Sequence, residues 1–292
     1  MLDLLLIPAF TLLFWTVSNS LIKGLTAKIS TNEISIIITG AGVIPMVISI
    51  FIMPAESISI MVMSLSLVSG VLLGLGYILF YRSLKSENLG NAGVTINIQQ
   101  IVVISFGLLI LKETVTSFIL PGIILIILGS IFVTVKKGFK VNKVLLIAAL
   151  ANIIWGIYYI PLSFAILSLH ASPVPLLMAR ITGFLSVLLI FNFPAIIKKA
   201  RSVSANVNNN HPKVAYSVIF LAILAGLLDG SGNVFYSLSI QDGILILAGS
   251  LIAMLPASLA ISGKFLYHEK LNIAQYSGIL LSVTGALIIA LA

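Results

Sequence analysis

An internal repeat constrains this chain more than any single motif does. A constant shift, with no gap, superposes six positions of the first half on six of the second. The superposed pairs are Gly74 and Gly230, Gly76 and Gly232, Gly93 and Gly249, Glu113 and Glu269, Gly122 and Gly278, and Gly129 and Gly285. Trp15 and Trp155 extend the similarity to the start of each half. The sequence therefore predicts two copies of one unit, residues 1–139 and 140–292.

The apolar residues fall into long runs separated by short polar turns. The chain is 60% hydrophobic and 8% charged, and roughly 20 apolar residues in a helix cross a bilayer. The runs lie near residues 4–22, 32–53, 60–81, 89–111, 116–135, 143–168, 172–196, 214–238, 242–265 and 273–291. This pattern predicts an all-α membrane protein with ten transmembrane helices.

Each copy contains five runs, and five is an odd number. The second copy must then enter the membrane from the opposite side to the first. Two inverted repeats around a central cavity are a recurrent design of secondary transporters, which bind solute between the halves near the bilayer midplane. We therefore expect two inverted five-helix repeats around such a cavity.

The net charge of +8 does not indicate nucleic acid, because the basic residues cluster on one side of the membrane. Fourteen of the sixteen lie in or beside odd-numbered connections, and only Lys112 and Arg180 do not. Basic connections usually remain in the cytoplasm beside anionic lipid headgroups. The charge bias therefore predicts a multi-pass cell-membrane protein with both termini outside.

Arg180 and Asp229 are the only acid and base set well inside runs. A charge at that depth costs at least a few kcal/mol unless it is paired or hydrated. Their positions in runs seven and eight predict similar depths. Two interpretations stay open: the charges meet a substrate, or they form an ion pair that fixes two helices.

Aromatic and amide side chains on runs one, three, four, six and eight form a second candidate set. Together with Arg180 and Asp229 they are our predicted substrate-binding residues. The set is Trp15, Asn19, Tyr77, Tyr81, Asn97, Gln100, Asn152, Trp155, Tyr159, Asn233 and Tyr236. If their helix faces converge, they line a polar cavity that orients a small molecule. The alternative is ordinary hydrogen bonding between helices.

The sequence offers little for catalysis. It has no cysteine, and its three histidines are far apart and outside the run centres. No metal-binding or nucleotide-binding motif is present, so we predict no enzyme activity, metal or cofactor. Glu113 and Glu269 end equivalent helices, and either a capping or a proton-coupling role fits them.

The order of these residues resembles that of the drug/metabolite transporters built from two EamA-type repeats. The resemblance rests on Trp15, Glu113, Gly122 and Gly129 in the first copy and on Trp155, Gly156, Pro256, Glu269, Gly278 and Gly285 in the second. It implies a basket of helices, alternating access, and export or exchange of amino acids, nucleotide-type metabolites or xenobiotics. The sequence departs from the family pattern at Gln99 and Gln100, where a proline is usual. The resemblance also implies both termini in the cytoplasm, against the charge bias.

We therefore expect a secondary transporter, independent of ATP, for small polar or zwitterionic solutes such as amino acids, related metabolites or drugs. Alternating access would move the solute. A flippase of a lipid or lipid-linked sugar is the first alternative. A membrane-embedded enzyme acting on a lipid-linked substrate is the second. The oligomeric state stays open.

Overall fold

The computed structural model describes residues 2–53, 58–84, 89–115, 117–134, 143–171, 173–201 and 216–291. Within these ranges the chain is helical and contains no strand. The helices are Leu2–Leu25 (α1), Thr31–Ala41 (α2), Val43–Ile52 (α3), Ile60–Leu84 (α4), Leu89–Phe106 (α5), Ile119–Thr134 (α6), Lys143–Leu169 (α7), Pro173–Arg201 (α8), Tyr216–Gln241 (α9), Leu245–Ile252 (α10), Leu255–Tyr267 (α11) and Ile273–Leu291 (α12). A single π-helical turn, Gly107–Leu111, continues α5. The all-α prediction is confirmed for the described residues.

Eight segments of the described chain are long and apolar enough to cross a membrane, and the shorter apolar segments Thr95–Leu111 and Ile119–Thr134 lie among them. The predicted count of ten spans therefore stays a prediction. Many large apolar side chains point outward, including Phe51 at 85% and Leu109 at 74% exposure. A monomeric soluble protein rarely exposes so much apolar surface. A lipid environment accounts for it.

Equivalent helices of the two repeats run in opposite directions. Helices α6 and α12 pack through two glycine pairs, Gly122 with Gly285 and Gly129 with Gly278. The residue numbers rise along one helix and fall along the other, so the two helices are antiparallel. At each glycine an added Cβ would meet the backbone carbonyl of its partner. Small residues allow such close approach of membrane helices.

The two repeats interlock rather than forming separate bundles. Helix α4 of the first repeat packs on α7 and α8 of the second, and α9 of the second packs on α1, α2 and α3 of the first. The third run of each repeat therefore buries itself against the first two runs of the other. The sequence repeat does not predict this exchange, which places side chains of both halves around one centre.

Two predicted runs are broken in the structure. Run two bends at Gly42, between α2 and α3, and run nine bends at Ala253 and Met254, between α10 and α11. Helix breaks inside a membrane leave backbone polar groups without helical partners, and other protein groups must satisfy them. At Gly42 the side chain of Arg180, on α8, donates to such backbone groups.

Candidate functional site

A central cavity of about 80 Å³ lies among α1, α4, α5, α7, α9 and α11. That volume holds several water molecules or the head group of a small solute. Nine of the thirteen predicted residues line it. They are Trp15, Asn19, Tyr77, Gln100, Asn152, Trp155, Tyr159, Asp229 and Asn233. The structure therefore brings together side chains from both repeats at one place, while their role in binding stays a prediction.

Four predicted residues are not described at the cavity wall. Arg180 is fully buried behind Asp229, and Asn97 is 6% exposed outside the lining. Tyr236 is also fully buried, and its ring packs on Trp15 and Tyr159 with centroids 5.5 and 4.7 Å apart. Tyr81 lies in α4, but its side chain is outside the described part of the chain.

The sequence-based set omits seven residues of the cavity wall. They are the polar Gln99 and Tyr158 and the apolar Ile22, Leu73, Phe80, Ile96 and Leu255. Gln99 and Tyr158 each directly precede a predicted residue, so the polar density of runs four and six was a usable signal. The apolar residues carry no such signal, because apolar side chains fill these helices throughout.

The two tryptophans occupy equivalent positions in the inverted repeats. Trp15 Nε1 donates to the Asp229 carbonyl at 3.3 Å, and Trp155 Nε1 donates to the Leu73 carbonyl at 3.3 Å. Each indole lies against a glycine of the facing helix, where an added Cβ would collide with the ring. These glycines are Gly232 for Trp15 and Gly76 for Trp155. Residues of both repeats therefore fix each indole at the cavity wall.

Arg180 and Asp229 form an ion pair beside the cavity. Arg180 Nη2 lies 2.7 Å from Asp229 Oδ2, and Tyr77 donates its hydroxyl to the same oxygen at 2.8 Å. Arg180 Nη1 in turn donates to the Tyr77 hydroxyl at 2.8 Å. The Asp229 side chain is 15% exposed, whereas that of Arg180 is completely buried. The pair therefore presents its carboxylate, not its guanidinium, to the cavity.

The same guanidinium donates hydrogen bonds to backbone carbonyls at the helix break near Gly42. Arg180 Nε donates to the Thr39 carbonyl at 3.1 Å, and Nη2 donates to the Ile38 carbonyl at 3.0 Å. A cation at the C-terminus of a helix is favourable because the last carbonyls carry partial negative charge. An added Cβ on Gly42 would collide with the guanidinium. The bend in run two and the position of Arg180 thus depend on each other.

Several polar atoms near the cavity are buried without a hydrogen-bond partner in the described chain. They include both side-chain polar atoms of Gln100, Asn152 Oδ1 and the Tyr158 hydroxyl. Leaving such a group unpaired costs about 1–3 kcal/mol. Native proteins retain this cost mainly at functional sites. These three residues therefore have hydrogen-bonding capacity that no described group uses.

A second cavity of about 100 Å³ adjoins the first at Asn19, Phe80 and Ile96. It extends toward the membrane face where α1 ends, and Lys23 and Glu269 form an ion pair in its wall. We call this second cavity the vestibule. The Lys23 and Glu269 side chains are 31% and 46% exposed. The central cavity therefore has a path toward the face that carries the basic connections.

The opposite side of the central cavity is closed by packed side chains. They belong to one continuous hydrophobic cluster and are Val103, Leu162, Ile166, Tyr236 and Leu245, each at most 1% exposed. Interiors packed in this way leave no room for a solute to pass. In this conformation access to the central cavity is one-sided.

Glu113 closes the turn on that packed side. Its carboxylate accepts hydrogen bonds from the backbone N–H groups of Leu245 at 3.0 Å and Ile246 at 2.8 Å, at the start of α10. Burial nevertheless raises the pKa of this carboxyl above its usual value, and the two backbone bonds only partly offset the rise. The equivalent Glu269 pairs instead with Lys23, so the two repeats differ at this point. The capping interpretation fits Glu113.

Within the described residues, no three His, Asp or Glu side chains converge in a group that could hold a metal ion. The absence of a metal from the function stays a prediction, and no described cluster of side chains contradicts it. The chemistry available at the cavity is hydrogen bonding, aromatic contact and the charge of one carboxylate.

Comparisons with known proteins agree with this architecture. No curated protein matches the chain. One solved crystal structure superposes on 99% of this chain and 98% of its own with a TM-score of 0.74, and its 16% identity shows the fold alone. The model of the EamA-like transporter family matches residues 4–135 and 142–291, which confirms the two-repeat prediction. Because those segments span nearly the whole sequence, the chain belongs to the EamA-like transporter family.

Proposed function

We propose that this protein carries small polar or zwitterionic organic solutes across the membrane as a secondary transporter, with alternating access to the central cavity. One observation supports this most: polar side chains of both repeats surround one cavity and leave hydrogen-bonding atoms unpaired there. A purely structural polar core would be expected to satisfy those atoms.

The one-sided access supports alternation between two conformations. The vestibule leads from the central cavity to the Lys23 face, whereas Val103, Leu162 and Ile166 close the other side. In a pair of inverted repeats, exchanging the conformations of the halves opens the closed side and closes the open one. The interlocked packing makes α4 with α7 and α8, and α9 with α1 to α3, the natural moving units.

The test is solute flux in proteoliposomes. Purified protein would be reconstituted and supplied with a panel of radiolabelled amino acids, amines, sugars and nucleotides. Uptake or counterflow of at least one solute, absent from empty liposomes, is the expected result. No flux of any panel member would overturn the proposal. Movement of a fluorescent lipid alone would favour a flippase.

Gln100→Leu sharpens this test. The substitution keeps the side-chain volume and removes two buried polar atoms that have no partner. We expect thermal stability to be unchanged or higher, because the desolvation cost disappears, while flux is lost. Ile101→Leu is the matched control, since Ile101 follows directly and is 49% exposed on the lipid side. Normal flux in Gln100→Leu would place this glutamine outside the solute path.

A further inference from the structure

We propose, building on the transport function above, that the central cavity recognises a primary ammonium group. The recognising groups are Asn19, Asp229 and Asn233, which we call the acceptor cluster. All three line the cavity, and hydrogen bonds link them through α1 and α9. What this cluster can bind depends on which of its polar atoms have no hydrogen-bond partner in the protein.

Each asparagine of the cavity wall donates a side-chain N–H to a backbone carbonyl of its own helix. Asn19 Nδ2 donates to the Trp15 carbonyl and Asn233 Nδ2 donates to the Asp229 carbonyl, each at 2.8 Å. Asn152 Nδ2, on the other side, donates to the Ala148 carbonyl and to the Thr95 hydroxyl, both at 2.9 Å. In each case a backbone carbonyl four residues earlier takes the N–H.

This arrangement fixes the orientation of each amide. A carbonyl only accepts hydrogen bonds, so turning the amide around would place two oxygens against each other. The Oδ1 atoms of Asn19, Asn152 and Asn233 are therefore acceptors to which no described group donates. Asn152 uses both of its N–H groups, whereas Asn19 and Asn233 each keep one N–H beside the unused acceptor.

Asp229 adds a negative charge and further acceptor oxygens to this cluster. Its Oδ2 binds Arg180 and Tyr77, whereas Oδ1 has no partner in the described chain. Arg180 is completely buried on the far side of the carboxylate, and no basic side chain lines the central cavity among the described residues. The ion pair is neutral as a whole, but its negative end faces the cavity. A cation is therefore favoured there over an anion.

The indoles of the cavity wall also favour a cation. Each Nε1 is committed to a backbone carbonyl, so neither Trp15 nor Trp155 has an N–H left for a solute. What remains is the face and edge of each ring. The negative face of an indole attracts an ammonium group, by about 0.5–2 kcal/mol depending on desolvation.

The opposite wall is less selective. Gln99 and Gln100 on α5 have both ends of their amides uncommitted, and the Tyr158 hydroxyl can donate or accept. A second polar group of either kind fits there. The cavity therefore admits a zwitterion, whose ammonium meets the acceptor cluster, but it gives a lone carboxylate no cationic partner.

Intrinsic fluorescence tests this directly, because both tryptophans of the chain line the central cavity. The full-length protein in detergent would be titrated with n-butylammonium, N-butylacetamide and butyrate, which share an alkyl chain and differ in head group. We expect n-butylammonium to perturb the emission at concentrations about tenfold or more below N-butylacetamide, since a charged donor strengthens each bond. Butyrate should have no saturable effect. Equal or tighter binding of butyrate would overturn the proposal.

Asn233→Leu provides the matched variant. Removing this acceptor beside the carboxylate should weaken n-butylammonium binding about tenfold and weaken N-butylacetamide binding less, because the neutral probe makes weaker bonds there. Asn32→Leu makes the same chemical change at an exposed position outside the cavity and should bind like the wild type. Equal weakening of both probes in Asn233→Leu would indicate a structural role and count against the acceptor cluster.

The two proposals fail in different ways. Flux that prefers carboxylates over amines would refute the ammonium assignment and leave transport intact. Saturable n-butylammonium binding without flux of any solute would support the assignment and refute transport.

Discussion

Arg180 Nη2 lies 2.7 Å from Asp229 Oδ2. The same guanidinium also donates to the carbonyls of Ile38 and Thr39 and to the Tyr77 hydroxyl. This pair joins α8 to α9, and its guanidinium also donates hydrogen bonds to backbone carbonyls at the break between α2 and α3. Of the two interpretations that the sequence left open, the buried ion pair describes the contact that is present. The carboxylate of the same pair still faces the cavity. Asp229 is therefore accessible to a solute, while Arg180 joins the helices.

The ion pair predicts a strongly coupled double-mutant cycle. Asp229→Leu leaves the Arg180 charge buried without its carboxylate and should lower the free energy of unfolding by about 3–5 kcal/mol. Arg180→Met combined with Asp229→Leu should lose less than the sum of the two single changes. It should not recover fully, because the Thr39 carbonyl loses its donor, at about 1–3 kcal/mol, whereas the Ile38 carbonyl keeps the Gly42 N–H. Thermal unfolding in detergent measures all the variants.

The ion pair in the vestibule supplies the control for that cycle. Lys23 and Glu269 are partly exposed, and surface pairs contribute about 0–1 kcal/mol. Lys23→Gln with Glu269→Gln should therefore change the unfolding temperature little and show weak coupling. Additive effects for Arg180 and Asp229 would show that their contact does not stabilise the fold.

One-sided access and membrane orientation can be tested with single cysteines, since the chain has none of its own. Ser262→Cys in the vestibule should react with a membrane-impermeant thiol reagent added to one face only. Ser237→Cys, at 1% exposure on the packed side, should resist it from either face. The charge bias predicts labelling of Ser262→Cys from the cytoplasmic face, in inverted vesicles. Labelling only from outside would instead place the termini in the cytoplasm, as family resemblance implies.

Glu113 predicts a pH dependence of stability. Burial raises the pKa of its carboxyl above 4.5 in the folded protein, so the folded state holds a proton that the unfolded chain releases at lower pH. The resulting stabilisation is fully present below the unfolded pKa and is lost as the pH rises through the raised value. The unfolding temperature of the wild type, relative to Glu113→Gln, should therefore fall as the pH rises from below the ordinary carboxyl pKa through the raised one.

The matched variant for Glu113 is Glu269→Gln in the other repeat. It removes an exposed ion pair with Lys23 rather than a helix cap, and should cost less than about 1 kcal/mol near neutral pH. A relative unfolding temperature for Glu113→Gln that moves the other way with pH would mean that the backbone bonds outweigh burial.

The glycine pairs between α6 and α12 predict a loss on substitution. An added Cβ on Gly129 would lie 2.5 Å from the Gly278 carbonyl oxygen, so Gly129→Ala should force the helices apart at a cost of about 1–3 kcal/mol. The neighbouring Leu128 is 43% exposed toward lipid, and Leu128→Ala should cost much less. Equal unfolding temperatures for the two variants would argue against close packing at this seam.

The sequence predicted the helical class and the repeat because both depend on local composition and register. It also predicted most of the cavity wall, since unpaired amides facing lipid would be costly and must turn inward. It could not predict that Tyr236 and Arg180 point away from the wall. Most positions around each spanning helix are apolar, so the sequence specifies the rotation of a helix only coarsely.

The contact between Arg180 and the break at Gly42 was unpredictable for another reason. Arg180 lies far along the chain, and nothing near Gly42 encodes that contact. The vestibule was missed because Lys23 and Glu269 belong to different repeats and read as ordinary interfacial charges. Both features arise only when the repeats interlock.

Interlocking has a consequence for how such a chain can be taken apart or have arisen. Residues 1–139 alone would leave α4 without α7 and α8, and would leave α1 to α3 without α9. A lone half would therefore expose its contact surfaces to lipid and should be stable only beside a second half inserted upside down. A chain made of one unit would need a second, oppositely inserted copy to cover the same surfaces, and joining the two units in one chain keeps that partner always present.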